Sequence, residues 1–252
     1  IFGTLGVDGA ANLFLINPNG ILFGENASLD VGGSFVGTTA SGVGFGEQGI
    51  FSATNPQAPP LLAIEPNLLR FNRFNRNAAI QNNGNLQVPI GRTLALVGSN
   101  VSLDGGGLFA PGGRVELGGL REAGTVGLDI NGDIFGLVFP DGVERGDISL
   151  TNRSRVDTLA DDGGSIAVNA RNVDISGGSI IIAGIRESLG TIDSQAGDIT
   201  LDATGEIFLD AGSAIGNVVL FGAKGNGGNI NINADSLKLL NQSGLQASTF
   251  GW

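Results

Sequence analysis

The chain has no cysteine, histidine, methionine or tyrosine and a single tryptophan among its 252 residues. Without cysteine there is no disulfide and no thiolate metal site. Without histidine or cysteine there is no Ser–His pair and no thiol nucleophile. Neither a Walker A pattern nor a zinc-ligand cluster is present, and no cofactor is expected. Positive charge is also scarce: 13 Lys and Arg stand against 24 Asp and Glu, a formal net charge of −11. That balance argues against nucleic acid as a partner, because a general binder needs a basic footprint. No apolar run approaches the roughly 20 residues of a spanning helix, and no signal peptide is evident. Because no methionine opens the chain, it is expected to be a processed product or a piece of something longer.

Glycine is what the chain has in excess, 44 residues without a collagen-like period. Set beside Ile, Val and Leu, it predicts many short strands joined by tight turns. The strands recur. Gly164 opens "GSIAVNA", Gly197 opens "GDITLDA" and Gly228 opens "GNININA", two long and nearly equal steps, and shorter relatives start at Gly113, Gly124 and Gly146. A second alternating strand follows each of the last three, at Asn172, Glu206 and Ser236. The inward candidates are Ile166, Val168, Ile199, Leu201, Ile230 and Ile232 in the first strands. In the second strands they are Val173, Ile175, Ile207, Leu209, Leu237 and Leu239, with polar residues between.

Alternation of period two inside a longer repeat predicts a solenoid whose strands pair in parallel from coil to coil. A doubly wound sheet, covered on both faces, reads instead as unbroken apolar runs. The expected fold is therefore all-β, a right-handed parallel β-helix, preferred over an antiparallel sandwich. With coils of roughly 20 residues rising about 4.8 Å, the rod is expected to be on the order of 50 Å long. The longer steps, from Gly164 to Gly197 and from Gly197 to Gly228, then require an excursion in each coil, or a coil and a half.

The N-terminal half is less regular. Five of the eight prolines, Pro56, Pro59, Pro60, Pro66 and Pro89, fall between residues 52 and 90, which predicts loops or hairpins off the rod. "NPNGI", Asn17, Pro18, Asn19, Gly20 and Ile21, lies between apolar runs. Its first four residues suit a tight turn, with Pro18 at the second position and Gly20 free of a Cβ clash. "GFGEQG" at Gly44 matches a dinucleotide fingerprint in spacing, but no helix can follow it, so it reads as a turn-rich loop. Asp161 and Asp162 could hold calcium or act as acid and base, yet adjacent strand residues face opposite ways, and a solvated turn is preferred. "LLRFNRFNRN" is the one basic and aromatic stretch, with Arg70, Phe71, Arg73, Phe74 and Arg76. It reads either as a docking patch for an acidic partner or, preferably, as a loop whose phenylalanines cover the rod.

"ANLFLINPNGILFGENASLDVGGSFVGTTA", residues 11–40, resembles the haemagglutination-activity domain of filamentous-haemagglutinin-like exoproteins, the passengers of two-partner secretion. "GRTLALVGSNVSLDGGGLFAPGGRVELG" from Gly91 and the closing "LQASTFG" resemble versions of that family found in cyanobacteria. The resemblance implies a β-helix with extra-helical elements, export through the periplasm, and recognition by the periplasmic domains of an outer-membrane transporter. It implies a secreted or cell-surface adhesin, not an enzyme, whose targets are cell-surface glycans or proteins. Only the short stretch from Ile1 to Ile16 precedes the NPNGI motif, so the family's capping strands and part of its secretion signal are expected to be missing. "EPNL" at Glu65 approximates the family's Asn-Pro-Asn-Leu motif in the wrong place, and no role is carried over to it. The expected division is a secretion-like region over residues 1–145 and continuing repeats over 146–252. The alternatives to an adhesin are an end-to-end self-associating filament and, less favoured, a polysaccharide-active β-helix enzyme.

Overall fold

The computed structural model describes residues 1–55, 66–72, 77–132 and 134–250. They form a parallel β-helix of seven coils, each with one strand on each of three faces. The first sheet aligns Leu13, Phe35, Leu94, Val115, Ile166, Ile199 and Ile230 in register. The second aligns Ile21, Ile80, Val101, Ile148, Val173, Ile207 and Leu237. The third aligns Leu86, Leu108, Val156, Ile181, Ile215 and Leu245. In the first coil the strand on the third face, Ser28–Asp30, pairs with Thr4–Gly6 rather than with Asn85–Gln87.

The three columns meet in one core that runs from Ile21 to Ile215 without a break at residue 145. Each fully buried aliphatic side chain in it contributes about 1.5–3 kcal/mol. In the coil of Ile230–Asn233, Ser236–Leu239 and Gly244–Thr249, the inward candidates Ile230 and Ile232 are half-buried, while Leu237 and Leu239 are 41% and 39% exposed. They keep the register of the coil before, and no described coil stacks on them.

The long steps from Gly164 to Gly197 and from Gly197 to Gly228 are each one coil plus an excursion. The chain makes a third strand, Ile180–Ile185 and then Ala214–Val219, before loops carry it to the next coil. Between the second and third sheets the chain turns on two successive residues of positive φ. These pairs are Asn152 and Arg153, Gly177 and Gly178, Ala211 and Gly212, then Asn241 and Gln242. Glycine and asparagine reach that region at least cost, which accounts for much of the turn chemistry in these coils. Just past the last three of these turns a serine hydroxyl accepts from the coil before: Ser154 N–H donates to Ser179 Oγ, Ser179 N–H to Ser213 Oγ, and Ser213 N–H to Ser243 Oγ, each at 3.1 Å.

Two long excursions leave the rod between the first and second sheets. The first lies between Phe35–Thr38 and Ile80–Asn82, the second between Arg114–Gly119 and Ile148–Thr151. Together they build a five-stranded antiparallel sheet, in the order Ile134–Val138, Gly124–Asn131, Leu68–Phe71, Gly42–Gly44, Ile50–Ser52. These excursions consume much of the chain. With seven coils the rod spans roughly 30 Å, shorter than the coil length alone implies.

Candidate functional site

The corner between the first and second sheets carries the sequence features of interest. Where it is bare it takes two residues, as at Ser99–Asn100, Arg171–Asn172 and Thr204–Gly205. In the first coil it takes four, Asn17 to Gly20, between strands Leu13–Ile16 and Ile21–Phe23. Gly20 N–H donates to Asn17 O at 3.1 Å, and Asn19 N–H donates to Asn17 Oδ1 at 3.1 Å. Pro18 holds the second position, and Gly20 has a φ of 110°. A Cβ on Gly20 would stand 3.1 Å from Ala79 O, so glycine suits both the dihedral and the space. Ile21 is buried and starts the next strand, while Asn17 and Asn19 are exposed. The turn is tied to the following coil at both ends, by Asn17 N–H to Thr38 O and Ile21 N–H to Ala79 O.

The next corner along carries the first excursion, and with it the basic stretch. The strand Leu68–Phe71 alternates: Leu69 and Phe71 are buried in a satellite core with Val43, Val97 and Val126, and Arg70 faces outward. Arg73, Phe74 and Arg76 lie outside the described residues. Arg70 borders a polar recess of about 380 Å³ with Ser41, Ser52 and Thr54.

The extra-helical sheet covers the outer face of the first sheet. Phe135 is buried against Val36 and Ala95, and its ring centroid lies 6.0 Å from that of Phe14. The edge strand Ile134–Val138 is tied to the rod by Phe135 N–H, which donates to Thr93 Oγ1 at 2.8 Å. Glu116 is fully buried beside Arg114, whose Nε lies 2.5 Å from Oε1. Burial outweighs that cation and pushes the Glu116 carboxyl up to about 7. Its Oε2 has no hydrogen-bond partner, in keeping with a group held neutral more readily than charged.

Thr93 and Glu116 escape sequence reasoning. In "GRVELGG" Glu116 occupies an outward strand position, where a solvated glutamate is the ordinary occupant. Only knowledge that a hairpin folds back over it marks it out.

Of the other candidates, Asp162 Oδ1 accepts from Gly163 N–H at 2.9 Å and from Gln195 N–H at 2.7 Å, fastening one loop to the next coil's. "GFGEQG" forms a short 3-10 turn, Gly46–Gln48, at the tip of a hairpin. Among the described residues no group of three Asp or Glu could hold a metal ion.

Compared with known proteins, residues 1–168 match the TPS secretion domain, the domain of two-partner secretion. The match passes the expected boundary at 145 and ends inside the strand Ser165–Ala170. No curated protein matches the chain.

Proposed function

Because the chain belongs to the TPS secretion domain family, we propose that it is the N-terminal part of an adhesin-like exoprotein presented at the cell surface. Membership supports export through the periplasm and an outer-membrane two-partner transporter. The observation that carries the adhesin reading is the continuity of the core. The region matched as a secretion domain passes into plain repeated coils through one uninterrupted set of buried columns. A rod of that kind can be lengthened coil by coil and holds its outer faces away from the membrane.

In this reading residues 1–145 serve secretion and 146–252 continue the rod. Asn17 to Ile21 is the secretion motif, acting through the shape of its turn. Arg70, with Arg73 and Arg76 near it in the sequence, is a docking patch for an acidic partner, with Phe71 as its buried support. The exported rod takes cell-surface glycans or proteins as its targets. A filament built by end-to-end association is the second reading.

A secretion assay tests the first reading. The gene is expressed with and without the transporter, and the medium is assayed for the chain. Transporter-dependent release, at least tenfold reduced by Asn17→Ala with Asn19→Ala, supports it. Release that ignores the transporter overturns it, and fibres seen by electron microscopy at rising concentration would move the reading to the filament.

A further inference from the structure

The hairpin Gly124–Val138 is attached to the rod at its edge strand, and an edge strand has backbone groups to spare. On Ile134–Val138 the Phe135 amide is taken by Thr93 Oγ1, which is neutral at any pH, and Glu116, which titrates, is buried beside Gly136 of the same strand. Glu116 stands in register between Ala95 below and Ala167 above, so neither neighbouring strand offers it a polar group. Over it lies Gly136, where an added Cβ would be 3.8 Å from Oε1. The charged groups that face it are Arg114 on its own strand and, across Gly136, the exposed Asp129 of the hairpin's other strand. Arg114 is shared, its Nη1 donating to Ser165 Oγ at 3.1 Å.

We propose that Glu116 is an acid-tightened latch: as the neutral acid it seats the hairpin's edge strand on the rod, and as the carboxylate it loosens that strand. The neutral acid has no charge to desolvate. The carboxylate holds a charge with one oxygen buried and unpartnered. When the hairpin lifts, water reaches the group, and its ordinary acidity returns.

The direction of the effect follows from linkage. The seated hairpin binds the proton up to about pH 7, whereas the lifted state releases it near the ordinary value of 4.5. The seated state is therefore favoured most below pH 4.5, and the advantage is lost as pH rises towards 7. Above that both states are ionised and nothing further changes. The opening constant should climb about tenfold per pH unit through the window and then level off.

Hydrogen–deuterium exchange of the whole chain, read on peptides covering 124–138 and corrected for the intrinsic pH dependence of amide exchange, tests the latch. Between pH 5 and pH 8 the hairpin should lose roughly a hundredfold in protection, while peptides from 165–219 hold theirs. Glu116→Gln should flatten the profile and keep the hairpin protected throughout. Arg114→Met retains the carboxyl and removes the cation, so its profile should move to higher pH. It keeps the test decisive if Glu116→Gln does not fold. A flat profile in the unmodified chain, an unchanged profile in either variant, or loss of protection shared equally by 165–219 would each overturn the latch.

Discussion

One face of one sheet behaves as two materials. Outward residues along the first sheet run, in register, Phe14, Val36, Ala95, Glu116, Ala167, Thr200 and Asn231. The neighbouring outward column runs Ile16, Thr38, Val97, Gly118, Asn169, Asp202 and Asn233. Both begin apolar and end polar. The apolar part lies beneath the extra-helical sheet, and the polar part faces water and bonds to itself, as in Asn233 Nδ2 donating to Asp202 Oδ1 at 2.7 Å. The same strand geometry thus serves as a buried interface in one half and as a solvated wall in the other. What decides between them is whether the chain left the rod and folded back.

The sharpest way to break the comparison is to place the same side chain in both halves. Val36→Asn would put a carboxamide at a fully buried position under Phe135. Lost apolar burial together with an unsatisfied amide should cost about 3–5 kcal/mol. Thr200→Asn, one column with the same outward direction but exposed, should stay within about 0.5 kcal/mol. Urea unfolding of the two variants beside the parent measures both. Equal costs would mean that the extra-helical sheet is not seated on the rod.

Glu116 sits where the two halves meet, and its substitution should sharpen the contrast by pH. Its folded-state acidity is raised from 4.5 to about 7, so its contribution is whole below pH 4.5 and falls away as pH rises to 7. At about 1.4 kcal/mol per unit, the fall is about 3 kcal/mol at most. Glu116→Gln should remove that slope, leaving the variant more stable than the parent at pH 7.5 and close to it at pH 4.5. Unfolding midpoints at the two pH values decide the matter. Asp147 works in the opposite sense and in another window. The Arg171 hydrogen bond, against some burial, and then the Arg171 charge hold it below 3.8, so its part is lost only as pH falls below that value.

The same comparison explains which parts of the molecule were legible from sequence. In the later coils, "SIAVNA" and "ITLDA" alternate because one face is wet, and the inward set Ile166, Val168, Ile199 and Leu201 is buried as the alternation predicts. In the earlier coils, where regular alternation is read from Gly91 on, "TLALVG" at Thr93–Gly98 is buried at every residue, inward and outward alike, because a second layer covers its outer face. That is the pattern of a sheet buried on both sides, and the second layer is what the sequence did not show. The third strand of each coil was concealed for a related reason: "IIIAGI" at Ile180–Ile185 reads as a short apolar run without a period. The turn at Asn17 was legible because Pro18 and Gly20 restrict backbone directly. The burial of Glu116 was not, since it depends on Gly136 lying close to it, a placement that exists only after the hairpin folds back.

The smallest effect concerns the clip that joins the two halves. Arg145, at the return of the second excursion, lies 5.6 Å over the Phe139 ring. Its Nη1 donates to Asp202 Oδ2 at 2.8 Å and to Asp202 O at 3.0 Å, two coils further on. Burial alone would raise the Asp202 carboxyl, but hydrogen bonds from Arg145 and Asn233 and the Arg145 charge hold it below its ordinary value. Since Asp202 keeps part of its surface in water, the pair is worth about 0.5–1 kcal/mol. A double-mutant cycle of Arg145→Met and Asp202→Asn should return a coupling of that size at low salt, shrinking in about 0.5 M salt as the charges are screened. Its pH dependence should lie below 3.8, where Asp202 takes up its proton, well apart from the window of Glu116. A coupling that persists undiminished at high salt would locate the connection in the packing of Arg145 on Phe139 instead. The two halves would then be joined by contact rather than by charge.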